Sequence, residues 1–392
     1  MVNFIIFIVI ILITIILAID IIPMFSEWLS RIHIGRYNSK QHWQDKILNK
    51  SKKWLKNTPK IKVTDNTRLV FIDMLKKNYT KDAIQHWQEA ALVLGISEYK
   101  KYNNDKELSE CIKKYINSKF SKSGNWIKKP ENIDGAILAY SLMNLEIDNL
   151  QKYKPALDYT YSMIKEHMGE DGTIQYRKHM KGYRYVDTIG FVCPFLVKYG
   201  VMFDDDECIE LAVKQIKEYR KHGMLVNRQL PYHAYDINNK FPLGLCGWGR
   251  GLGWYAIGLI DSWNELPNDN MYKHDLTQYV KEFVNEIIKL QNNNGAWNWT
   301  VTRKETRLDS STTATLLWFL VNAKEIDEIK QICEEAANKA LEYLISVTRR
   351  DGAIDFSQGD TKDIGVYSIL FNILPFTQGF ALRSIVKVSK NK

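Results

Sequence analysis

Two aspartates, Asp134 and Asp187, stand at the start of strongly apolar runs, DGAILAYSLMNL and DTIGFVCPFLVKYG, each directly after a polar or aromatic loop. A carboxyl facing an apolar, aromatic surface keeps its proton to higher pH, and a second carboxylate nearby strengthens the effect. Such a pair suits general acid–base chemistry on a sugar. The competing reading is helix N-capping, which Asp does well. For Asp309, followed by Ser310, Ser311 and Thr312, capping is the better reading.

A second group of residues lies in Tyr232–Pro267, which opens with His233 and Asp236 on a polar loop. A glycine-rich turn follows, in which Trp248 and Trp254 flank Arg250. Glycine admits a close backbone approach, tryptophan offers a flat face with one N–H, and arginine offers a fixed fork for a carboxylate. Together they suit an acidic, ring-shaped ligand such as a uronic acid; the alternative is a tight helix start with buried tryptophans. In a helix expected around Ala83–Tyr99, Trp87 and Gln88 could stack on a ligand and hydrogen-bond to it, or Trp87 could fill the core. Arg177, shortly before Asp187, could meet a carboxylate.

These residues must be positioned by helices, because no sustained alternation of β-branched residues appears. Four similar turns recur, Ser123-Gly124-Asn125-Trp126, Asp171-Gly172-Thr173-Ile174, Asn294-Gly295-Ala296-Trp297 and Asp351-Gly352-Ala353-Ile354, each after an amphipathic helix. The first three lead into a more apolar helix beginning near Asp134, Asp187 or Asp309. About six helical hairpins result when the repeat is counted through a first pair around Thr67–Tyr99. Amphipathic outer helices alternating with apolar inner ones suggest an all-α toroid, with an open α-solenoid as the alternative. A toroid gathers the N-termini of its inner helices around one mouth, where the helix dipoles favour anions.

Val2–Ile19 carries no charge and, extended past Asp20, can span a bilayer as a helix. The stretch lacks a basic n-region and a small-residue cleavage site, which favours an uncleaved anchor over a signal peptide. Arg31, Arg36, Lys40, Lys46 and Lys50 follow it, so the positive-inside rule places the body in the cytoplasm. The expected organisation is a transmembrane anchor over 1–24, a juxtamembrane linker or helix over 25–66 and a catalytic domain over 67–392.

The net charge of +9 favours an anionic substrate or membrane surface, but no basic run interleaves with aromatics as nucleic-acid binding requires. The five cysteines are scattered without CxxC spacing, and His233 and Asp236 lack a third ligand, so no metal is expected. Gly247–Gly253 does not follow a strand, so it is no dinucleotide fingerprint, and no cofactor is expected.

His233-Ala-Tyr-Asp236 with Gly247-Trp-Gly-Arg250-Gly-Leu-Gly-Trp254 resembles the unsaturated glucuronyl and rhamnogalacturonyl hydrolases, glycoside hydrolase families 88 and 105. Val186-Asp187-Thr188 is similar to their aspartate helix, and Pro375-Phe376-Thr377-Gln378-Gly379 to their closing segment. The resemblance runs over roughly Thr67–Val386; Leu252 and Ala234 depart from the usual Asn and Gly. It implies an (α/α)6 barrel, here preceded by one transmembrane helix. It also implies hydration of a 4,5-unsaturated uronic acid at the non-reducing end of an oligosaccharide, without cofactor. On this resemblance the proton donor falls on Asp187 and its partner on Asp134. Substrate contacts fall on Trp87, Gln88, His233, Arg250 and Trp254, with Arg177 near a common basic position. Competing readings are an inverting glycosidase or polysaccharide lyase on the same toroid, and a non-catalytic, membrane-tethered glycan-binding protein.

Overall fold

The computed structural model describes residues 1–59, 61, 63–77, 79, 86–145 and 149–390. Its helices, in chain order, are α1 (Val2–Arg31), α2 (Lys40–Lys56), α3 (Val70–Leu75), α4 (His86–Lys100), α5 (Lys106–Lys119), α6 (Asp134–Met143), α7 (Lys154–Glu166), α8 (Val186–Phe203), α9 (Asp206–His222), α10 (Gly249–Glu265), α11 (Lys273–Lys289), α12 (Ser310–Ala323), α13 (Lys330–Ser346) and α14 (Pro375–Lys390). Residues 83–85 of the expected first inner helix lie outside the described residues. The even-numbered helices from α4 to α14 are apolar nearly all round and almost wholly buried, as helices enclosed by others must be. Each packs on the next, and α14 returns to α4, so the ring closes. Helices α5, α7, α9, α11 and α13 bury one stripe against its outside. The result is the six-hairpin (α/α)6 barrel; the open solenoid is excluded by the α4–α14 contact.

The sixth outer helix is α2, which packs on α14 and α4 with Trp43 and Ile47 fully buried. The structure therefore draws the boundaries differently from the sequence expectation. The stretch assigned to a juxtamembrane linker or helix holds the helix α2, which supplies a wall of the barrel, and residue 24 falls inside the continuous helix α1. The apolar half of α1 is exposed and long enough to cross a membrane. Its other half is docked: Asp20 accepts from the backbone N–H of Leu69 and Val70, and Arg31 forks onto the buried Asp355 at 2.7 and 3.0 Å. α8 is also long and apolar enough by composition, though shorter and less apolar than α1, and it is buried in the ring.

The repeated turns act as spacers between hairpins. Gly295 and Gly352 have φ of 87° and 88°, where a side chain is strained, and a Cβ there would collide with the Lys339 and Lys46 carbonyls of outer helices. The ring closes on a glycine seam, where a Cβ on Gly379 would lie 2.0 Å from the Ala91 carbonyl oxygen and one on Gly95 2.5 Å from that of Gly379. Gly379→Ala is expected to force α14 off α4 at an overpacking cost of about 1–3 kcal/mol. Thermal melting checks this: an unchanged Tm would mean the seam has slack.

At the mouth, short strands replace part of the helical connections. β1 (Tyr183–Tyr185), β2 (Met224–Leu225), β3 (Leu230–Pro231), β4 (Ala234–Asp236), β5 (Pro242–Leu243), β6 (Ser357–Gln358) and β7 (Phe371–Asn372) form small antiparallel sheets, with β1 pairing β4 and β4 pairing β5. At the other end, where the inner helices finish, Arg383 pairs with Asp261 at 2.6 Å and Lys198 bonds Glu265 and Asn144. Cations suit the negative ends of the helix dipoles.

Candidate active site

Asp309 caps α12 as expected, accepting from the backbone N–H of Ser311 and Thr312 at 3.0 Å each. It also accepts from the Gln358 N–H at 2.9 Å, which ties β6 to the ring. Asp134 and Asp187 do not cap. They occupy the first and second positions of their helices, inside the N-cap residues Ile133 and Tyr185. Both are buried, and burial raises both carboxyls.

Asp187 projects into a cleft with about 560 Å³ of empty space, lined by aromatic rings that include Trp87, Tyr176, Tyr185, Trp248 and Trp254. Its Oδ2 is buried and has no hydrogen-bond partner among the described residues. His233 Nε2 lies 3.8 Å from it. Burial pushes the carboxyl up to about 7; its own backbone N–H and Arg250 oppose this, Asp360 adds to it, and Arg177 opposes it. The β1–β4 pairing sets this geometry: the Val186 N–H donates to the His233 carbonyl at 3.0 Å, placing His233 across from Asp187. Burial lowers His233 to about 4, so the imidazole is neutral at pH 7. It packs on Trp248 at 4.5 Å, with Tyr367 Oη 3.2 Å from its Nδ1.

The other expected residues divide. Trp87 and Trp254 line the cleft, edge to face at 5.7 Å, and Trp248 lines it with its indole N–H on Gln358 Oε1 at 3.0 Å. Arg250 also lines it, while its two terminal nitrogens donate to the Gln358 carbonyl at 2.9 Å and to the Gly359 carbonyl. Gln88 turns away from the cleft and accepts from the Phe376 N–H at 2.9 Å, an internal tie between α4 and α14. Asp134 is not among the described residues that line the cleft; burial raises its carboxyl, and His86 and then Arg177 counter this. Arg177 lies over the Tyr176 ring at 4.2 Å and bonds the Tyr176 carbonyl. The glycines beside Arg250 lie inside α10, which begins at Gly249. A Cβ on Gly249 or Gly253 would strike Thr312 or Thr315 of α12, so these glycines admit a neighbouring helix.

The sequence reading missed the segment between the fourth turn and α14. It brings Asp360, Thr361, Lys362 and Asp363 to the cleft. Burial raises the Asp360 carboxyl, countered by Arg250, and Asp134 adds to the rise. The signal was available: this is the longest turn-to-inner-helix connection of the four, and its charges cluster at Asp360-Thr361-Lys362-Asp363.

The model of Glycosyl Hydrolase Family 88 matches residues 60–370. The chain belongs to this family. Several solved structures share the fold of this family 88 member. A possible glycoside hydrolase family 105 member from Salmonella enterica is 17% identical, with a TM-score of 0.76 over 91% of this chain and 96% of that one. A family 105 glycoside hydrolase from C. acetobutylicum is 20% identical, with a TM-score of 0.70 over 82% and 98%. The unsaturated glucuronyl hydrolase of Bacillus sp. GL1, responsible for the degradation of glycosaminoglycan, is 16% identical, with a TM-score of 0.67 over 89% and 97%. This family 88 chain is a glycoside hydrolase on the same six-hairpin barrel.

Proposed function

We propose that this glycoside hydrolase hydrates the 4,5-double bond of an unsaturated uronic acid at the non-reducing end of an oligosaccharide, with Asp187 as the proton donor and acceptor. The observation that carries this reading is the Asp187 carboxyl, buried and unpartnered at Oδ2, half-protonated near neutrality and within the field of two guanidinium groups. A general acid works best with a pKa near the working pH, and the Arg250 and Arg177 fields favour an anionic ligand.

The substrate is an enol ether conjugated to a carboxylate. Asp187 gives its proton to C4, and positive charge develops at C5 and the ring oxygen. Water adds at C5 and returns a proton to Asp187. The resulting hemiketal opens, and the hemiacetal left at C1 releases the remaining saccharide. Trp248 and Trp254 wall the ring, His233 faces the acid, and Arg250 takes the carboxylate. Asp134 is assigned a supporting role through its charge, and Arg177 a field effect. The carboxylate-separation rule of ordinary glycosidases does not apply, since no displacement at C1 occurs first.

Incubation with an unsaturated uronyl disaccharide should remove the absorbance of the conjugated double bond, and persistence of that absorbance would sink the reading. Because Asp187 must be protonated to act, kcat/KM should fall about tenfold per pH unit above roughly 7.

We also propose that the apolar half of α1 anchors the enzyme in a membrane with the barrel on the cytoplasmic side. Deleting residues 2–18 should move full activity to the soluble fraction. Deletion through Arg31 should cost activity as well, because Asp355 loses one of its two arginine partners. Full-length protein in the soluble fraction would refute the anchor.

A further inference from the structure

His233 is held between two partners. Its Nε2 lies 3.8 Å from Asp187 Oδ2, and its Nδ1 lies 3.2 Å from Tyr367 Oη. Tyr367 belongs to the segment between β6 and β7 and is not among the described residues that line the cleft. Its ring packs on Trp248 at 5.4 Å and on Trp299 at 5.8 Å, and its Oη accepts from the Leu245 N–H at 2.9 Å. Burial pushes the hydroxyl up to about 12, so it keeps its proton at neutral pH.

That proton has one place to go. A phenol carries a single O–H donor, and His233 Nδ1 is the acceptor that Oη meets among the described residues. With Nδ1 accepting, the neutral imidazole carries its own proton on Nε2, because the bond made by one ring nitrogen sets the state of the other. In the other tautomer Nδ1–H and the Leu245 N–H would both donate to Oη, and the phenol proton would be left without an acceptor. The Nε2–H therefore faces Asp187, and His233 presents no lone pair to the cleft with which to act as a base. When Asp187 gives up its proton to the substrate, a carboxylate forms 3.8 Å from Nε2. A charge-assisted hydrogen bond spans about 2.8 Å, so a closing movement of about 1 Å completes it. A bond that strengthens as charge develops lowers the barrier.

We propose that Tyr367 is a positioning residue: it locks His233 as the Nε2–H tautomer, and that N–H stabilises the carboxylate which Asp187 becomes during the reaction. The tautomer stands on the hydrogen bonds alone, whereas its catalytic use rests on the unsaturated uronyl reading above. No proton passes to His233; it moves from Asp187 to C4 and returns from water.

Nitrogen NMR of the full-length enzyme in detergent, carrying isotope-labelled histidine, reads the tautomer without substrate, and His233→Gln assigns the signals. A proton on Nε2 and a bare Nδ1 are expected at pH 7; a proton on Nδ1 overturns the proposal whatever the substrate is. On an unsaturated uronyl disaccharide, Tyr367→Phe keeps the ring and should lower kcat by about tenfold with KM nearly unchanged, the mark of an interaction made in the transition state. The fall of kcat/KM at alkaline pH should also move to higher pH, since losing an N–H that faces the carboxylate favours its protonated form. The charged groups acting on Asp187 and His233 are Arg177, Arg250, Asp360 and Asp363, with Lys362 also in the lining. The substitution replaces none of them, so the shift reports the imidazole. A lower Tm with an unmoved pH profile makes Tyr367 a scaffold residue and overturns the proposal. In a His233→Gln background, where no tautomer remains to lock, Tyr367→Phe should cost less than about twofold more; a further tenfold loss means that Tyr367 acts without His233 and overturns it as well. Absence of turnover by the wild type sinks the uronyl reading and the catalytic use with it, while the spectrum still decides the tautomer.

Discussion

Asp187→Asn is expected to lower kcat by roughly 10³-fold or more, toward the upper part of the range for a lost general acid, while the barrel stays folded. Asn has the size of Asp, and position 187 lies inside the helix rather than at its N-cap. Stability should move in the opposite direction to activity at alkaline pH. The folded carboxyl titrates near 7 and an unfolded one near the ordinary carboxylate value. Between roughly pH 4 and 7 the folded chain therefore holds a proton that the unfolded chain has released, and wild-type stability falls as pH rises through that window. Asn carries no such penalty, so above pH 7 the variant should melt at or above the wild-type temperature. Near-normal turnover by the variant would remove Asp187 from the chemistry.

Arg250→Met is the second large effect. Two terminal nitrogens of the guanidinium hold the Gln358 and Gly359 carbonyls, directly before Asp360. Of the five N–H donors of an arginine, others remain for a substrate carboxylate. Met removes the charge and leaves both carbonyls unpaired, at about 1–3 kcal/mol for each buried group. A fall in kcat/KM of about 10²- to 10³-fold is expected, with a lower Tm. Arg250→Lys keeps the charge without the fork and should lose roughly ten- to a hundredfold. A merely structural role would not move the pH profile. Arg250 holds the Asp187 carboxyl down against the effect of burial, so with Met the alkaline limb of activity should shift to higher pH. Reduced Tm with unchanged kcat/KM and an unmoved limb would make Arg250 a scaffold residue alone.

Much of this was legible in the chain itself, because it was written in local physics. The four glycine turns mark where outer helices end. Asp134, Asp187 and Asp309 mark inner-helix starts within a residue, and the capping role of Asp309 follows from the hydroxyl residues after it. What escaped depends on partners distant in sequence. The glycines of α10 look like a ligand-binding turn until Thr312 and Thr315 are placed against them. Gln88 looks like a contact residue until the Phe376 N–H occupies it. α2 reads as a juxtamembrane linker or helix outside the barrel because only one stripe of it is apolar, and the face it covers is supplied by α4 and α14. Asp360 lies in a segment without periodicity, whose path is set by Arg250, Asp309 and Trp248 reaching Gln358 or Gly359.

The glycine seam between α4 and α14 has a consequence for cooperativity. A linear repeat array has end units that can fray independently, and its stability is close to a sum over neighbours. A ring sealed where the Gly95 and Gly379 backbones touch has no end unit: losing any hairpin opens two interfaces at once. The barrel should then unfold in one transition. The helices that begin and end the ring are also neighbours, since Ser389 of α14 bonds Gln44 of α2 at 3.1 Å. Joining the start of α2 to the end of α14 by a short linker, without α1, and opening the chain at an exposed turn such as Asn268–Asp269 would preserve every interface of the ring. Circular permutants of the barrel should therefore fold, which is the signature of a topology without a beginning.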